Sequence, residues 1–426
     1  MAREFKDSGI EWIGQIPREW SVELIGNNIK EINDKNDDSS EDNALQFKMG
    51  SIISKKGGDS KYNPESLAAY TKVKEGDIVI NGLNLSFDLI SQRVGLVREK
   101  GVITSTYLTL RPSSLLHSVF VNYLFKAYDN CKAFHGMGRG LRQILAYREL
   151  KNQKLIYPPL PEQQKIADYL DKVCGEVDEM VALQETMIEE LKAYKQSVIT
   201  EAVTKGLNPN VPMRHSGIDW IGEIPEHWEV RRLKEVFILK TGTTPKEYDK
   251  GLEHGSLINW FTPSDIDEMN CELNGSQRYL SKEVAQNEGI QLYPKGSLIF
   301  VGIGASAGKI GYANVEGYSN QQITAIIPRN AHCYSKYFYY YMIADRKRIR
   351  DNAFFTTLPI INNSYLSGVK VLFPAIEEQR AIASYLDTKC SEIDSLIALK
   401  QAKIDELKEY KKSVIYEYVT GKREVV

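Results

Sequence analysis

The sequence predicts an α+β chain made of a duplicated module, in which a mixed α/β block precedes a long helix. The segment SGIEWIGQIPREWSV, which starts at Ser8, recurs as SGIDWIGEIPEHWEV from Ser216, and PEQQKIADYLDKV from Pro161 recurs as EEQRAIASYLDTK from Glu377. The second pair of segments carries heptad-spaced apolar residues, whereas short β-type runs occupy the blocks before it. A period of about half the chain that occurs twice indicates a duplicated module and not a solenoid.

The repeated segments that follow the blocks predict long helices. Apolar residues alternate steps of four and three over residues 166–198, with one break at Gln184, and the second copy keeps this seam over residues 382–414 with Lys400 at the break. Pro158 and Pro159 end the preceding element and allow a helix to begin. A helix of about 40 residues would be about 60 Å long, which is too long to bury its seam inside a small globule. The two seams must therefore pair with each other or with a partner chain.

Mixed α/β structure is predicted for the blocks at roughly residues 21–156 and 229–372. Short apolar runs predict strands at residues 76–80, 107–112, 296–304 and 323–328. An aromatic-rich helix begins at Val121 in the first block and at Lys336 in the second, and a polar loop follows at residues 135–144 and 352–360. We therefore predict domains at residues 1–156 and 209–372, and helical regions at residues 157–208 and 373–426.

The bulk composition limits the class of protein. The net charge is −2 and the pI is about 6.4, so any DNA-facing surface must arise from charge that is segregated within a neutral whole. No apolar run approaches the length of a membrane span. The five cysteines lack C-x-x-C spacing and indicate reduced thiols in a cytoplasmic protein, and the six histidines lack metal-ligand spacing. We expect no membrane contact and no metal site.

The order of these segments is specific enough to suggest a family. Each block is followed by a proline, a Glu-Gln pair and a long helix that ends ELK-x-Y-K-x-SVI. Together with the SGI-x-WIG-x-IP-x-x-W lead-in and the stretch TGTTP…INWFTPSDI at residues 241–266, this order resembles the specificity (S) subunits of bacterial type I restriction–modification enzymes. The resemblance covers essentially the whole chain, although the first half lacks counterparts to TGTTP and WFTPSDI.

The resemblance implies an architecture and a set of partners. Two mixed α/β target-recognition domains would be separated by two long antiparallel helices, and would read two half-sites of double-stranded DNA on either side of an unread spacer. Two methyltransferase (M) subunits would pack on the helices, with two motor-nuclease (R) subunits as optional further partners. S-adenosylmethionine is expected in the M subunit, and no cofactor is expected in this chain. The helix residues that we predict to bind partners are Leu170, Val177, Leu191, Tyr194, Leu386, Ile393, Leu407 and Tyr410.

Candidate DNA-contacting residues lie in the loops of both blocks. Arg139 and Arg142 stand in the glycine-rich segment 138–142, where glycines allow close approach to a groove and arginine is the commonest guanine reader; a flexible basic turn is the alternative. Three successive amides precede a strand and either contact DNA or form an ordinary turn, namely Asn320, Gln321 and Gln322. The remaining candidates are Asn84, Arg93, Thr243, Thr244, Lys246, Ser306, Lys309, Thr356 and Thr357.

Other motifs in the second block are compatible with different chemistry. Residues 300–304 match the F-x-G-x-G motif of many methyltransferases, but an adenine methyltransferase would also carry an Asn/Asp-Pro-Pro-aromatic tetrapeptide, which this sequence lacks. Residues 304–310 resemble a phosphate loop that is one residue too short, and we interpret them as a strand–turn–strand. The basic run at residues 346–348 forms either a solvated helix end or a phosphate-contacting edge.

The sequence therefore predicts a DNA-reading and scaffolding subunit that is not an enzyme. A standalone DNA methyltransferase or nuclease is one alternative, but it would need a catalytic constellation, and none is found in the sequence. A coiled-coil adaptor without DNA binding is the other, but such an adaptor has no evident need for two large and dissimilar blocks.

Overall fold

The computed structural model describes residues 3–55, 67–85, 90–138, 143–246, 257–267, 272–352, 354–355 and 358–425. Its helices are α1 Ile25–Asn28, α2 Ser118–Asn130, α3 Tyr147–Leu150, α4 Leu160–Lys205, α5 Leu233–Val236, α6 Lys282–Asn287, α7 Ser335–Ala344, α8 Arg346–Asp351, α9 Asn363–Gly368 and α10 Ile376–Val419. Its strands in the first half are β1 Phe5–Asp7, β2 Gln15–Pro17, β3 Ser21–Leu24, β4 Ile29–Glu31, β5 Leu45–Lys48, β6 Ser51–Ser54, β7 Thr71–Val73, β8 Ile78–Ile80, β9 Val94–Leu96, β10 Gly101–Ile103, β11 Leu108–Pro112 and β12 Lys154–Tyr157. Those in the second half are β13 Met213–His215, β14 Glu223–Pro225, β15 Glu229–Arg232, β16 Phe237–Thr241, β17 Leu257–Phe261, β18 Glu272–Leu273, β19 Tyr279–Ser281, β20 Leu298–Val301, β21 Ile310–Ala313, β22 Gly317–Ser319, β23 Ile323–Pro328, β24 Phe354–Phe355, β25 Pro359–Ile360 and β26 Lys370–Phe373.

The chain divides into two compact units, and each of them uses parts of both long helices. Unit 1 consists of Met1–Glu185 with Ala402–Val426, and unit 2 is Thr186–Gln401. Each unit therefore contains one α/β block, the first part of the long helix that follows it and the last part of the other long helix. The α+β class and the internal repeat that the sequence predicts are confirmed.

The central sheet of unit 1 has the strand order β4-β11-β8-β9, and all its neighbours are antiparallel. The strands are short and apolar, and β8 and β9 are fully buried because α2 covers β9. The ladder of β1 with β2 forms a hairpin at the start of the chain, and the ladder of β3 with β12 brings the start and the end of the block together. The strands predicted at residues 76–80 and 107–112 correspond to β8 and β11 and are confirmed.

Unit 2 repeats this sheet with the order β16-β23-β20-β21, and β18 adds a parallel edge strand next to β21. The predicted strands at residues 296–304 and 323–328 are confirmed as β20 and β23. The single helix predicted from Lys336 is wrong in one respect, because the chain forms α7 and α8 with a break at Asp345. The Asp345 carboxylate is buried and pairs with the Arg348 guanidinium; burial raises the pKa of Asp345, and the arginine opposes that shift.

The two long helices have 46 and 44 residues, and each is followed within two residues by a glycine with a positive φ angle. Within unit 1 they run antiparallel, because Tyr169 of α4 stacks near Tyr418 of α10 with ring centroids 4.5 Å apart, and Asp178 pairs with the earlier residue Lys411 at 2.6 Å. Within unit 2 the equivalent ion pair joins Asp394 of α10 to Lys195 of α4 at 2.7 Å. The prediction of paired helices is therefore confirmed inside each unit.

The heptad seam is only partly buried. Residues Ile166, Leu170 and Val177 are buried as predicted, whereas other seam residues are exposed, namely Met180, Tyr194, Leu396 and Tyr410. Ile188, Ile397 and Ile404 lie outside the predicted seam and are buried in their place. A helix with about 3.6 residues per turn drifts relative to a strict heptad, so the buried face moves off the predicted positions.

Candidate nucleic-acid interface

One edge of each sheet collects the loops that the sequence singled out. Because neighbouring strands are antiparallel, the ends of β16 and β20 lie at the same edge of unit 2 as the beginnings of β21 and β23. Thr243 and Thr244 follow β16, Ser306 and Lys309 lie between β20 and β21, and the amides at residues 320–322 precede β23. The corresponding edge of unit 1 carries Asn84 after β8 and Arg93 before β9.

In unit 2 the threonine loop and the amide run are joined by hydrogen bonds. The Thr243 amide donates to the Ser319 carbonyl at 3.0 Å, and the Thr244 hydroxyl donates to the Gln321 side-chain oxygen. The Asn320 side-chain amide donates to the Gln322 side-chain oxygen at 3.0 Å. These contacts hold the hydroxyl and amide groups together at the sheet edge, where their exposed atoms can meet the edges of bases.

Two further asparagines, which sequence reasoning missed, complete this edge. Asn363 accepts from the Thr324 hydroxyl and donates to the Thr241 hydroxyl, both at 2.7 Å. Asn362 caps α9 by accepting from the Tyr365 amide at 2.8 Å. Both asparagines line a groove of about 200 Å³ that Gln321 and Gln322 also line. The run IINNS before a short helix resembles the amide run at residues 320–322, and that signal could have found them.

A basic segment lies beside the loop between β20 and β21. A side chain added at Gly308 would approach Arg350 Cβ to 3.5 Å and Arg346 Cγ to 4.0 Å, so α8 packs directly against this loop. Lys309, in the same loop, points its ammonium group toward the Ile266 carbonyl at 3.5 Å. Lys246 is exposed after the threonine loop, and its backbone amide donates to Glu288 at 2.9 Å. Phosphate contact by α8 stays a prediction, with a solvated helix end as the alternative.

The edge of unit 1 is built from the same pair of loops with different side chains. The Leu145 amide donates to the Gly82 carbonyl at 2.9 Å, as the Ile361 amide does to the Gly302 carbonyl at 2.8 Å in unit 2. Non-glycine residues adopt positive φ angles in both loops of unit 1, at Asn84 and at Gln143. Strained backbone of this kind clusters at functional sites.

Arg93 is 1% exposed and organises the loop that carries Asn84. Its guanidinium donates to the carbonyls of Asn81 at 3.1 Å and Leu83 at 2.7 Å, and its backbone amide donates to Asp129 at 2.8 Å. This burial makes Arg93 a support for the loop, and its direct contact with DNA stays a prediction. Arg139, Arg142, Thr356 and Thr357 lie outside the described residues.

The predicted partner-binding residues of the helices fall into two groups. Leu170, Val177, Leu386, Ile393 and Leu407 are buried within the units, and Leu191 is half-buried. Tyr194 and Tyr410 are 58% and 49% exposed and are available to another chain.

The two competing glycine motifs of unit 2 belong to the strand–turn–strand formed by β20 and β21, as predicted for residues 304–310. The Gly302 amide donates to the Gln322 carbonyl at 2.8 Å, and the Gly304 amide donates to the Pro359 carbonyl at 3.1 Å. Both glycine amides thus hold the loops of the candidate interface together. In the part of the chain that the structure describes, no group of side chains is arranged to hold a metal ion, and no helix has the length and apolar character of a membrane span.

A family model described as the type I restriction modification DNA specificity domain matches residues 93–193 and 225–409. The chain belongs to this family. It is a specificity subunit of a type I restriction–modification system, and membership implies DNA and the other subunits of the complex as its partners.

Single proteins also resemble this chain over nearly its whole length. The type I restriction enzyme MjaVIII specificity subunit of Methanocaldococcus jannaschii is 24% identical over 96% of this chain and 94% of the relative. Two solved structures share the fold. The HsdS subunit from Thermoanaerobacter tengcongensis has a TM-score of 0.52 at 16% identity, covering 96% of this chain and 98% of that one. A chain from a study of complex assembly and conformational transition of the type I R-M system has a TM-score of 0.72 at 16% identity, covering 96% and 99%.

Replacement of Gly242 by alanine is expected to weaken the binding of unit 2 to DNA. The added Cβ would overlap the Ser319 and Asn320 carbonyl oxygens, so the turn must open and the Thr243–Ser319 hydrogen bond is lost. We expect about a tenfold loss of binding to DNA that carries the half-site of unit 2, equivalent to about 1.4 kcal/mol. Gly368→Ala is the matched control because its Cβ would meet nothing within 4 Å. Equal affinities of the two variants, measured with the assembled complex on DNA, would contradict the role of this edge.

Proposed function

We propose that this chain reads a bipartite, asymmetric DNA site, with one half-site for each unit, and that it carries no catalytic chemistry of its own. The observation that carries the proposal is the repeated sheet edge, which has the same loop pairing in both units but different side chains. Unit 2 presents Asn320, Gln321 and Asn363 at this edge, whereas the corresponding edge of unit 1 presents Asn84 and Gln143 from its own loops. Amide side chains are common readers of adenine edges, so two different sets of amides favour two different half-sites.

The S-adenosylmethionine and the reacting groups would lie in the methyltransferase subunit. The glycine amides of the F-x-G-x-G segment support this assignment, because both already bond to neighbouring loops of unit 2. Burial raises the pKa of the Cys390 thiol to about 11 and also raises that of Cys174, which supports structural roles for these cysteines. Four cysteines are unpaired among the described residues, as a reducing, cytoplasmic location requires.

Methylation of DNA by the reconstituted complex tests the proposal. The chain is mixed with the methyltransferase subunit of its system and S-adenosylmethionine, and the methylated adenines are mapped by sequencing. We expect two defined half-sites separated by a spacer of fixed length and undefined sequence, and no methyl transfer by the chain alone. Methyl transfer by the rigorously purified chain would contradict the non-catalytic role, and a single continuous site would contradict bipartite reading.

Two exposed apolar patches support the proposal that two methyltransferase subunits bind this chain. The patch of unit 1 consists of Met180, Leu183 and Tyr410. The patch of unit 2 consists of the residues at the equivalent positions of the repeat, which are Leu396, Leu399 and Tyr194. Exposed apolar groups that cluster on a helix mark protein interfaces, and tyrosine is enriched among the residues that dominate binding energy. Two equivalent patches favour two copies of one partner, and motor-nuclease subunits would join the resulting complex.

A charge in each patch is expected to remove one methyltransferase subunit. Tyr410→Asp should weaken one binding site by about 2 kcal/mol, or roughly 30-fold, and Tyr194→Asp should weaken the other, because each buries a charge in an apolar interface. Light scattering of the complexes should show one bound methyltransferase for each single variant and none for the double variant. The control is Met49→Asp, which alters an exposed apolar residue in the turn between β5 and β6. A double variant that still binds two subunits would show that the partner docks elsewhere.

A further inference from the structure

Gln163 lies fully buried at the start of α4 and satisfies three backbone groups at once. Its side-chain oxygen accepts from the His117 amide at 2.7 Å. Its side-chain nitrogen donates to the Leu115 carbonyl at 3.1 Å and to the Pro158 carbonyl at 2.9 Å. The first two partners belong to the loop that leads into α2, and the third belongs to the linker before α4. One side chain therefore connects the recognition domain of unit 1 to its long helix.

Gln379 repeats this arrangement at the start of α10. It is fully buried, its oxygen accepts from the Tyr334 amide at 2.8 Å, and its nitrogen donates to the carbonyls of His332 at 3.1 Å and Pro374 at 2.9 Å. The three backbone partners of Gln379 thus correspond one to one to those of Gln163, although the sequences of the loops that lead into α2 and α7 are different. Identical geometry around different loop sequences indicates that the arrangement itself has a function.

The glutamate before each glutamine adds the lead-in segment to the same joint. Glu162 accepts from the Trp20 indole N–H at 3.2 Å, and Glu378 accepts from the Trp228 indole N–H at 3.3 Å. A Glu-Gln pair thus connects three segments in each unit, which are the lead-in, the recognition domain and the first turn of the long helix. Buried amides that form all their hydrogen bonds resist displacement, because a moved partner would leave a buried polar group unsatisfied.

We infer that Gln163 and Gln379 are positioning residues that fix the angle between each recognition domain and its helix, and thereby make the subunit selective for spacer length. This inference rests on the proposed bipartite reading. A rigid joint means that a site with a longer or shorter spacer can be bound only if the DNA or the protein is deformed. Loosening one joint lets that recognition domain turn to meet its half-site, so the penalty for a wrong spacer falls.

Gln379→Met tests the inference, because methionine keeps the length of the side chain and removes its hydrogen bonds. Binding and methylation by the assembled complex are measured on DNA whose spacer is one base pair shorter, correct, or one base pair longer. For the wild type we expect about a tenfold loss or more on either wrong spacer. For Gln379→Met, and separately for Gln163→Met, we expect a loss of about threefold or less, with unchanged preference for the bases of both half-sites.

A destabilised control separates positioning from general loss of stability. Ile393→Val alters a buried residue of α10 in the same unit, away from the joint. Each variant is assayed at the same number of degrees below its own melting temperature. The inference is supported if only the glutamine variants tolerate wrong spacers. It is overturned if they remain as selective as the wild type, or if Ile393→Val becomes equally tolerant. A wild type without any preference for spacer length would instead refute the bipartite reading on which the inference rests.

Discussion

Exchange of residues 21–157 for the corresponding block of another family member is expected to replace the half-site read by unit 1 and to leave the other half-site unchanged. The two ends of this block lie opposite each other, because β3 pairs with β12 in a register that places Ser21 against Tyr157. Both junctions of the exchange therefore lie in one ladder, and the lead-in and α4 keep their own sequences. The repeat offers the same junction in unit 2, where Glu229 lies against Phe373.

Mapping of methylated adenines in cells that express the hybrid with its methyltransferase subunit measures this exchange. The expected motif combines the new half-site with the original one at an unchanged spacer. The reciprocal exchange of residues 229–373 is the matched control and should change only the other half-site. If a hybrid that binds its methyltransferase subunit altered both half-sites, the two units would not read DNA independently.

Replacement of Trp228 by alanine is expected to cause a large loss of stability in unit 2. The indole is 1% exposed, meets the Tyr337 ring edge-on at a centroid distance of 6.5 Å, and donates to Glu378 at the start of α10. A Cβ at Gly206, where α4 ends, would lie 3.1 Å from the same indole. Trp228 therefore fills the space where the end of one long helix meets the start of the other. Truncation of a buried tryptophan costs about 3–5 kcal/mol in the free energy of unfolding.

Calorimetry and hydrogen exchange of the full chain measure this loss and locate it. Protection should fall in unit 2 and stay high in the core of unit 1, whose own tryptophan, Trp20, is unaltered. Trp228→Phe helps to separate packing from hydrogen bonding, because it keeps most of the apolar volume and removes the indole N–H. We expect Trp228→Phe to cost about 1–2 kcal/mol. A loss in Trp228→Ala no greater than in Trp228→Phe would mean that the cavity is filled by rearrangement.

Features that depend on local or periodic patterns were predictable. The duplicated lead-ins, the long helices and the strands β8, β11, β20 and β23 all follow from apolar runs and from prolines at the element boundaries. Each of these signals lies within a few turns of chain, so no knowledge of distant contacts is needed. The same holds for the Glu-Gln pair, whose repetition is visible in the sequence although its hydrogen bonds are not.

Features that depend on distant contacts were not predictable. The break lies at Asp345, whose carboxylate is buried against Arg348, and a run of aromatic and basic residues does not reveal that burial. The exposure of Tyr194 and Tyr410 follows from the rotation of the buried face along each helix. Asn363 enters the candidate interface only because strands that are far apart in sequence bring Thr241 and Thr324 to it.

The sequence by itself determined that this chain is a duplicated α+β protein with long helices, and the order of its motifs gave the resemblance to specificity subunits, because repetition, heptad spacing and motif order are properties of the linear chain. The tertiary structure decided which loops share a sheet edge, that Arg93 supports a loop from inside the protein, and that Gln163 and Gln379 join each domain to its helix. The physical reason is that burial and hydrogen bonding between distant segments are set by how the strands pair and the helices pack, and those pairings have no signature in any one segment.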